Sequence, residues 1–288
     1  MSHTIAVFGA GGKMGTRVSD NLVRTDHTVH YVETSPAGRE RVTAAGRSLS
    51  DAATAVAHAD IVVLAVPDLA LAPVTAELVP RLRPGTIVLT LDPAAAWGAQ
   101  SRTRRDVGGP APPACHRRVF LRRRPAEEWA DTFGGVAAPQ DAIAAIESDD
   151  DDKRAIVEET VRAIYAPVVD VHWVSVKQLA QLEPTLVETV ACMIGALLND
   201  ALHEAIHTMG VPEAAARSIL YGHTQVALAN GLRGDNPFSD ACLIAMDYGR
   251  ESIVKEDWKK IFRDDELDKN LARMLHLDRI ERPLAGKN

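Results

Sequence analysis

Aromatic side chains are scarce, at 5% of 288 residues, so a core must be built from Ala, Val, Leu and Ile. Cysteine is scarcer still. Cys115, Cys192 and Cys242 are too few for a disulfide framework and fit a reducing compartment, which predicts a cytoplasmic protein. Positive charge is not in excess. A net charge of −7 argues against general nucleic-acid binding. Long apolar runs are lacking too. The longest, TVACMIGALL, is shorter than a bilayer crossing, so no membrane span is expected. TIAVFGAGG reads as strand and turn almost from Met1, which leaves no room for a signal peptide ahead of the fold.

The first half is an alternation of strand and helix. TIAVFGAGGKMGTRVSDNLV is an apolar strand, a Gly-rich turn and a helix in which Met14, Val18 and Leu22 recur every four residues. TVHYVE (28–33) is a second strand. ADIVVLAVPD (59–68) and PGTIVLTLD (84–92) are continuous β-branched runs of the kind buried on both faces of a parallel sheet. AIAAIES (142–148) and PVVDVHWV (167–174) are further strands, and DDDDKRAIVEETVRAIYA between them is a helix with an acidic start. The order predicts an α/β fold: a doubly wound parallel sheet of the Rossmann type over residues 1–174, followed by an all-helical domain over 175–288.

The turn Gly9-Ala10-Gly11-Gly12-Lys13-Met14-Gly15 is a variant of G-x-G-x-x-G, with Ala10, Gly12 and Gly15 in the three motif positions. Such a turn lets backbone approach a diphosphate placed at a helix N-terminus. Glu33 ends the second strand, where a carboxylate accepts from the adenosine ribose and repels a 2′-phosphate. The cofactor expected is therefore NAD, bound at least tenfold more tightly than NADP. The turn of Ala65, Val66 and Pro67 should cover its nicotinamide side.

Residues 98–125 break the pattern, with eight Arg, four Pro and little aliphatic periodicity. Residues 98–118 are expected to form an exposed irregular loop. In the second half, Ser175 and Gln178 open a long helix as a capping box, and Pro184 should kink it. Between Leu186 and Leu198 only Glu188 and Thr189 interrupt the apolar run, which predicts a helix buried on all sides and packed by a second subunit, a homodimer centred on residues 186–209. Gly210 ends this helix. PEAAARSILYGHTQVALANGL and FSDACLIAMDYGRESIVKEDW are the next two.

HEAIH (203–207) matches H-E-x-x-H, in which two His one turn apart grip zinc. Gly210 and Pro212 are helix punctuation, however, and Glu213 opens a different helix. No catalytic metal is expected, and His203 and His207 read as polar residues near a helix end.

FGAGGKMG, YVETSPAGRERV, ADIVVLAVPD, LEPTLVETVACMIG, YGHTQVALA and NPFSDACLIAMDYGRESIVKEDWK, in that order along nearly the whole chain, resemble the bacterial D-apionate oxidoisomerase family. The arrangement of a nicotinamide domain and a long buried helix resembles the wider 6-phosphogluconate dehydrogenase-like superfamily. The resemblance implies an NAD-dependent oxidoreductase acting on a CH–OH group of a branched sugar acid. It also implies a coupled skeletal rearrangement to 3-oxo-isoapionate. The family's H-P-C-H-P pattern reads here Pro113-Ala114-Cys115-His116-Arg117, so only Cys115 and His116 carry over. The catalytic candidates are Glu183, Glu188, His223 and His116, with Glu188 read as a buried carboxylate or, equally, a dimer-interface contact; Lys177 and Lys255 are candidates for the substrate carboxylate. A plain hydroxyacid dehydrogenase and a catalytically impaired NAD-binding protein are the alternative readings.

Overall fold

The structure, a computed structural model, describes residues 2–91, 114–115, 125–131, 136–235 and 237–280. It divides into two compact units. The first takes the described residues up to Glu183 and again from Asp268; the second runs Pro184–Leu267.

In the first unit, β1 (Thr4–Phe8), β2 (Thr28–Val32), β3 (Ile61–Leu64) and β4 (Ile87–Thr90) form a parallel sheet in the order β2-β1-β3-β4. The alternation along β1 supplies two cores. Ile5 and Val7 pack with Val18 and Leu22 of α1 (Lys13–Leu22) and with Val157 and Val161 of α6 (Asp151–Ile164). Ala6 and Phe8 face the other way, onto Val56 of α3 (Ala52–His58) and Leu71 and Leu78 of α4 (Asp68–Leu78). Helices on both faces make the sheet doubly wound. Between β2 and α3 lies α2 (Pro36–Ala44), capped by Ser35.

The strands expected near 142–148 and 167–174 join a second sheet instead of extending the first. Its order is β5 (Ala114–Cys115), β6 (Gln140–Ala144), β7 (Val168–Trp173), with β5 antiparallel and β7 parallel to β6. The expectation of an irregular loop over 98–118 is thus corrected at Ala114 and Cys115, which pair with Ala142 and Asp141. The rest of that stretch, His116 included, lies outside the described residues, as does most of 98–125. The short helix α5 (Ala126–Ala130) precedes β6.

Ser175 caps α7 (Val176–Leu182) by the expected capping box with Gln178. This helix packs Val176 and Leu179 against Ala145, which is why the first unit extends past Val174 to Glu183. At Pro184 the winding of the helix changes. Glu183–Cys192 widens into a π-helical stretch before α8 (Met193–His207) resumes α geometry. A proline cannot donate to the carbonyl of Ala180, and the wider winding accommodates the loss. The Thr189 hydroxyl donates to the Pro184 carbonyl inside this stretch.

The second unit continues with α9 (Glu213–Arg233) and α10 (Asp240–Ile253). Gly210 and Gly234 adopt φ of 69° and 76° at helix ends, where a side chain would be strained. The helix Val176–His207 is long and apolar enough, by length and composition alone, to cross a membrane, a test that core helices also pass. Within the single chain it is not buried on all sides: Leu186 is 46% and Met193 51% exposed. A last helix, α11 (Asp264–Met274), adds to those expected; its Leu271 is buried, and from Asp268 the chain is again part of the first unit.

Candidate active site

The Gly-rich turn is shaped by backbone contact. Gly9 has a φ of 77°, and a Cβ there would lie 2.5 Å from the Ala65 carbonyl oxygen. A Cβ on Gly15 would lie 1.9 Å from the Gly9 carbonyl oxygen. These contacts bring the end of β1, the end of β3 and the start of α1 together, with Ala65 and Val66 beside Gly9. Helix α1 opens at Gly12 with no side-chain cap and no acidic residue in its first turn. Its leading amides are therefore suited to an anion, with the helix dipole in support. Lys13 is exposed, and Ala10 and Gly11 are buried behind the turn.

Glu33 sits at the edge of this turn. Its Oε2 accepts from the Gly11 amide at 3.0 Å. Its Oε1 accepts from the Thr34 and Ser35 amides, both at 2.9 Å, and from the Ser35 hydroxyl at 3.0 Å. Partial burial pushes the carboxyl upward, but the donors from Ser35, Gly11 and Thr34 outweigh it and hold the group below the ordinary carboxylate range. Glu33 is thus a fixed negative charge beside the turn.

The catalytic candidates fall elsewhere. Glu183 is half-buried where α7 gives way to the π-helical stretch, its amide donating to the Leu179 carbonyl. Glu188 is exposed in that stretch, which corrects the expectation of a buried carboxylate. The sequence pattern presupposes a covering surface that one chain does not supply. His223 is exposed on α9 with Nδ1 at 2.8 Å from the Ile219 carbonyl oxygen. A carbonyl only accepts, so Nδ1 is the donor in this contact. Lys177 and Lys255 are exposed.

His203 and His207, both exposed on α8, lie with ring centroids 4.1 Å apart and their planes tilted by 45°. Glu213 is held by Arg217 at 2.7 Å. Among the described residues no three His, Cys, Asp or Glu side chains gather closely enough to hold a metal.

Both halves of the chain match known families. A Rossmann-like domain covers residues 4–102, and the phosphogluconate dehydrogenase (decarboxylating) C-terminal domain covers residues 122–275. The D-apionate oxidoisomerase of Pectobacterium atrosepticum is 54% identical over 97% of this chain and 98% of its own length. The chain belongs to the D-apionate oxidoisomerase family. A solved structure from Cupriavidus necator, described as a semialdehyde dehydrogenase NAD-binding protein in complex with calcium and NAD, is 35% identical. It matches with a TM-score of 0.90 over 95% of this chain and 100% of that one. An NADH-preferring ketol-acid reductoisomerase from an uncultured archaean shares the fold at a TM-score of 0.62 and 15% identity, over 95% of this chain and 82% of that one.

Two residues that contact Glu33 or the Gly-rich turn escape a reading of the sequence, Ser35 and Gly38. Ser-Pro before a helix signals a cap at Ser35. Gly38 in the first turn of α2 is a weak helix former in a place that does not need a turn, and that is the signal of close backbone approach.

Proposed function

We propose that this chain binds NAD in its first unit and oxidises a branched sugar acid with the coupled rearrangement of a D-apionate oxidoisomerase. The observation that carries the reading is the junction of Gly9, Gly15 and Ala65 beside an uncapped helix start, with the charged Glu33 at its edge. The glycine contacts leave room for backbone but not for side chains, which fits a diphosphate lying against residues 9–15. Glu33 meets the adenosine ribose, and Ala65, Val66 and Pro67 line the nicotinamide side. Bound NAD supplies the acceptor for the hydride leaving the alcohol carbon.

The chain has to take the hydroxyl proton and then hold the ketone while a neighbouring hydroxyl is deprotonated. His223 suits the first task, because its Nδ1 is engaged by the Ile219 carbonyl and its ring is exposed. Glu183 is the second base, Glu188 and His116 assist at the substrate, and Lys177 or Lys255 meets the sugar-acid carboxylate. A second copy of the chain covers the apolar helices, in a cytoplasmic homodimer centred on residues 186–209. The exposed Leu186, Met193 and Leu197 support a covering partner, and their place within the matched dehydrogenase domain favours a second copy over a bilayer.

The test is incubation with NAD and a panel of branched sugar acids, followed by NADH absorbance and product NMR. A rearranged product supports the reading. An unrearranged keto acid would make the chain a plain hydroxyacid dehydrogenase. Tight NADH binding without turnover would favour an impaired NAD-binding protein, the outcome to which Pro113, Ala114 and Arg117 in the family's H-P-C-H-P positions point.

A further inference from the structure

Three segments of the first unit meet at Gly38: the Gly-rich turn, the end of β2 and the first turn of α2. A Cβ on Gly11 would lie 2.2 Å from the Gly38 carbonyl oxygen. A Cβ on Gly38 would lie 2.5 Å from Cδ of Glu33 and 2.6 Å from Oγ of Ser35. A side chain at Gly38 would therefore have to displace those of Glu33 and Ser35. Its absence lets the Glu33 carboxylate lie flat between the turn and α2.

Ser35 ties the same parts together. Its hydroxyl donates to Glu33 Oε1 at 3.0 Å and accepts from the Gly38 amide at 3.1 Å. Gly11 is held from both sides, its amide by Glu33 and its carbonyl by Nε of Arg41 at 2.6 Å. A carboxylate oxygen has two lone pairs. With three donors Oε1 is saturated, whereas Oε2 has one donor and a remaining direction for a ligand hydroxyl.

We propose that Ser35 and Gly38 are specificity-positioning residues: they lock the Glu33 carboxylate so that only Oε2 faces the cofactor ribose and the charge cannot swing away from a 2′-phosphate. This rests on the reading that Glu33 meets that ribose. Rigidity is what excludes NADP here. A carboxylate free to rotate would yield to the phosphate, and Arg39 and Arg41 on α2 would then attract it. Arg39 is held by Glu33 itself, its Nη1 donating to the Glu33 carbonyl at 3.2 Å.

The experiment is calorimetric titration of the full-length protein and its variants with NAD and with NADP, which needs no substrate. Gly38→Ala should push the flexible Glu33 side chain out of place and lower the NAD-to-NADP affinity ratio about tenfold. Ser35→Ala should lower it about threefold, and Ser35→Thr should restore it. In turnover the change should appear in KM for NAD, with kcat nearly unchanged. Ser35 is exposed, so its variants test the positioning role even where Gly38→Ala fails to fold. Glu33→Gln separates the two claims. If it collapses the ratio while the Ser35 and Gly38 variants keep the wild-type value, the positioning role is wrong and the reading of Glu33 stands. If Glu33→Gln itself leaves the ratio unchanged, the ribose reading has failed and the positioning proposal with it.

Discussion

The two units use similar apolar sequence to opposite ends. In the first, Ile5, Val7, Val18 and Leu89 are fully buried by their own chain. In the second, Ile219 is 62%, Leu232 66% and Ile244 71% exposed, and α10 buries no residue at all. The first unit closes its cores because two layers of helix cover both faces of a sheet. The second is a set of helices whose apolar sides find no such cover among the described residues. Burying such side chains contributes about 1.5–3 kcal/mol each, so the second unit as it stands is missing most of its hydrophobic stabilisation. Its stability is expected to depend on association, whereas that of the first is not.

Truncation of one large side chain in each unit gives the largest expected effect. Leu64→Ala, at 1% exposure, should cost about 2–5 kcal/mol of unfolding free energy at any protein concentration. Ile244→Ala should cost far less in the single chain, and its effect should grow with protein concentration as dimers form. Urea unfolding at two concentrations a hundredfold apart checks both. A loss at Ile244 that is independent of concentration would break the comparison. Sedimentation of Tyr248→Arg sharpens it further: the wild type should be dimeric at micromolar concentration, and the variant shifted toward monomer.

Glycines divide the units in the same way, with a somewhat smaller effect. Gly15 cannot gain a methyl group without moving the Gly9 backbone, so Gly15→Ala should weaken NAD binding by about a hundredfold, near 2.7 kcal/mol. At Gly222 nothing lies within 4 Å of an added Cβ. Gly222→Ala should therefore leave NAD binding intact and stabilise α9 by roughly 0.5–1 kcal/mol through helix propensity. A destabilised Gly222→Ala would mean that a second copy packs closely there.

Legibility in the sequence follows the same division. The strands of the first unit are legible to within a few residues because β-branched runs such as IVVL report burial on both faces directly, and the Gly9–Gly15 turn because its glycines follow a strand and open a helix at motif spacing. Glu33 is marked by its place at a strand end. Gly38 is marked only as a glycine in a helix's first turn; that it makes room for the Glu33 and Ser35 side chains is not. The split of the strands into two sheets depends on hydrogen-bond partners, which composition does not encode. In the second unit the capping box at Ser175 and the stop at Gly210 are legible as local chemistry. The π-helical stretch after Pro184 and the exposure of Glu188 are not, since periodicity says that a face wants cover and not what supplies it.

The smallest expected effect is a pH dependence, and it too separates the units. In the first unit, burial and then the charge of neighbouring His3 hold His27 below its ordinary value of 6.5, against the upward pull of Glu159 and Asp26. The His3 amide also donates to Nδ1 of His27 at 3.1 Å, which occupies the lone pair a proton would need. The folded state thus favours neutral His27. That contribution is complete above pH 6.5 and falls away as pH drops through 6.5 toward the folded value, because the unfolded chain takes up the proton first. Glu33 acts at lower pH. Its folded value is depressed, so its contribution is complete above the ordinary 4.5 and is lost as pH falls through the folded value. In the second unit the shifted groups Arg217, Asp257 and Lys260 are solvent-exposed pairs, which salt and water screen. Acidification from pH 7.5 to about 5.5 should therefore lower the urea midpoint slightly, and His27→Gln should flatten that slope. The NAD-to-NADP affinity ratio should stay constant over the same range, since Glu33 remains charged throughout. A ratio that falls together with the His27 transition would show that the charge selecting the cofactor is not the Glu33 carboxylate.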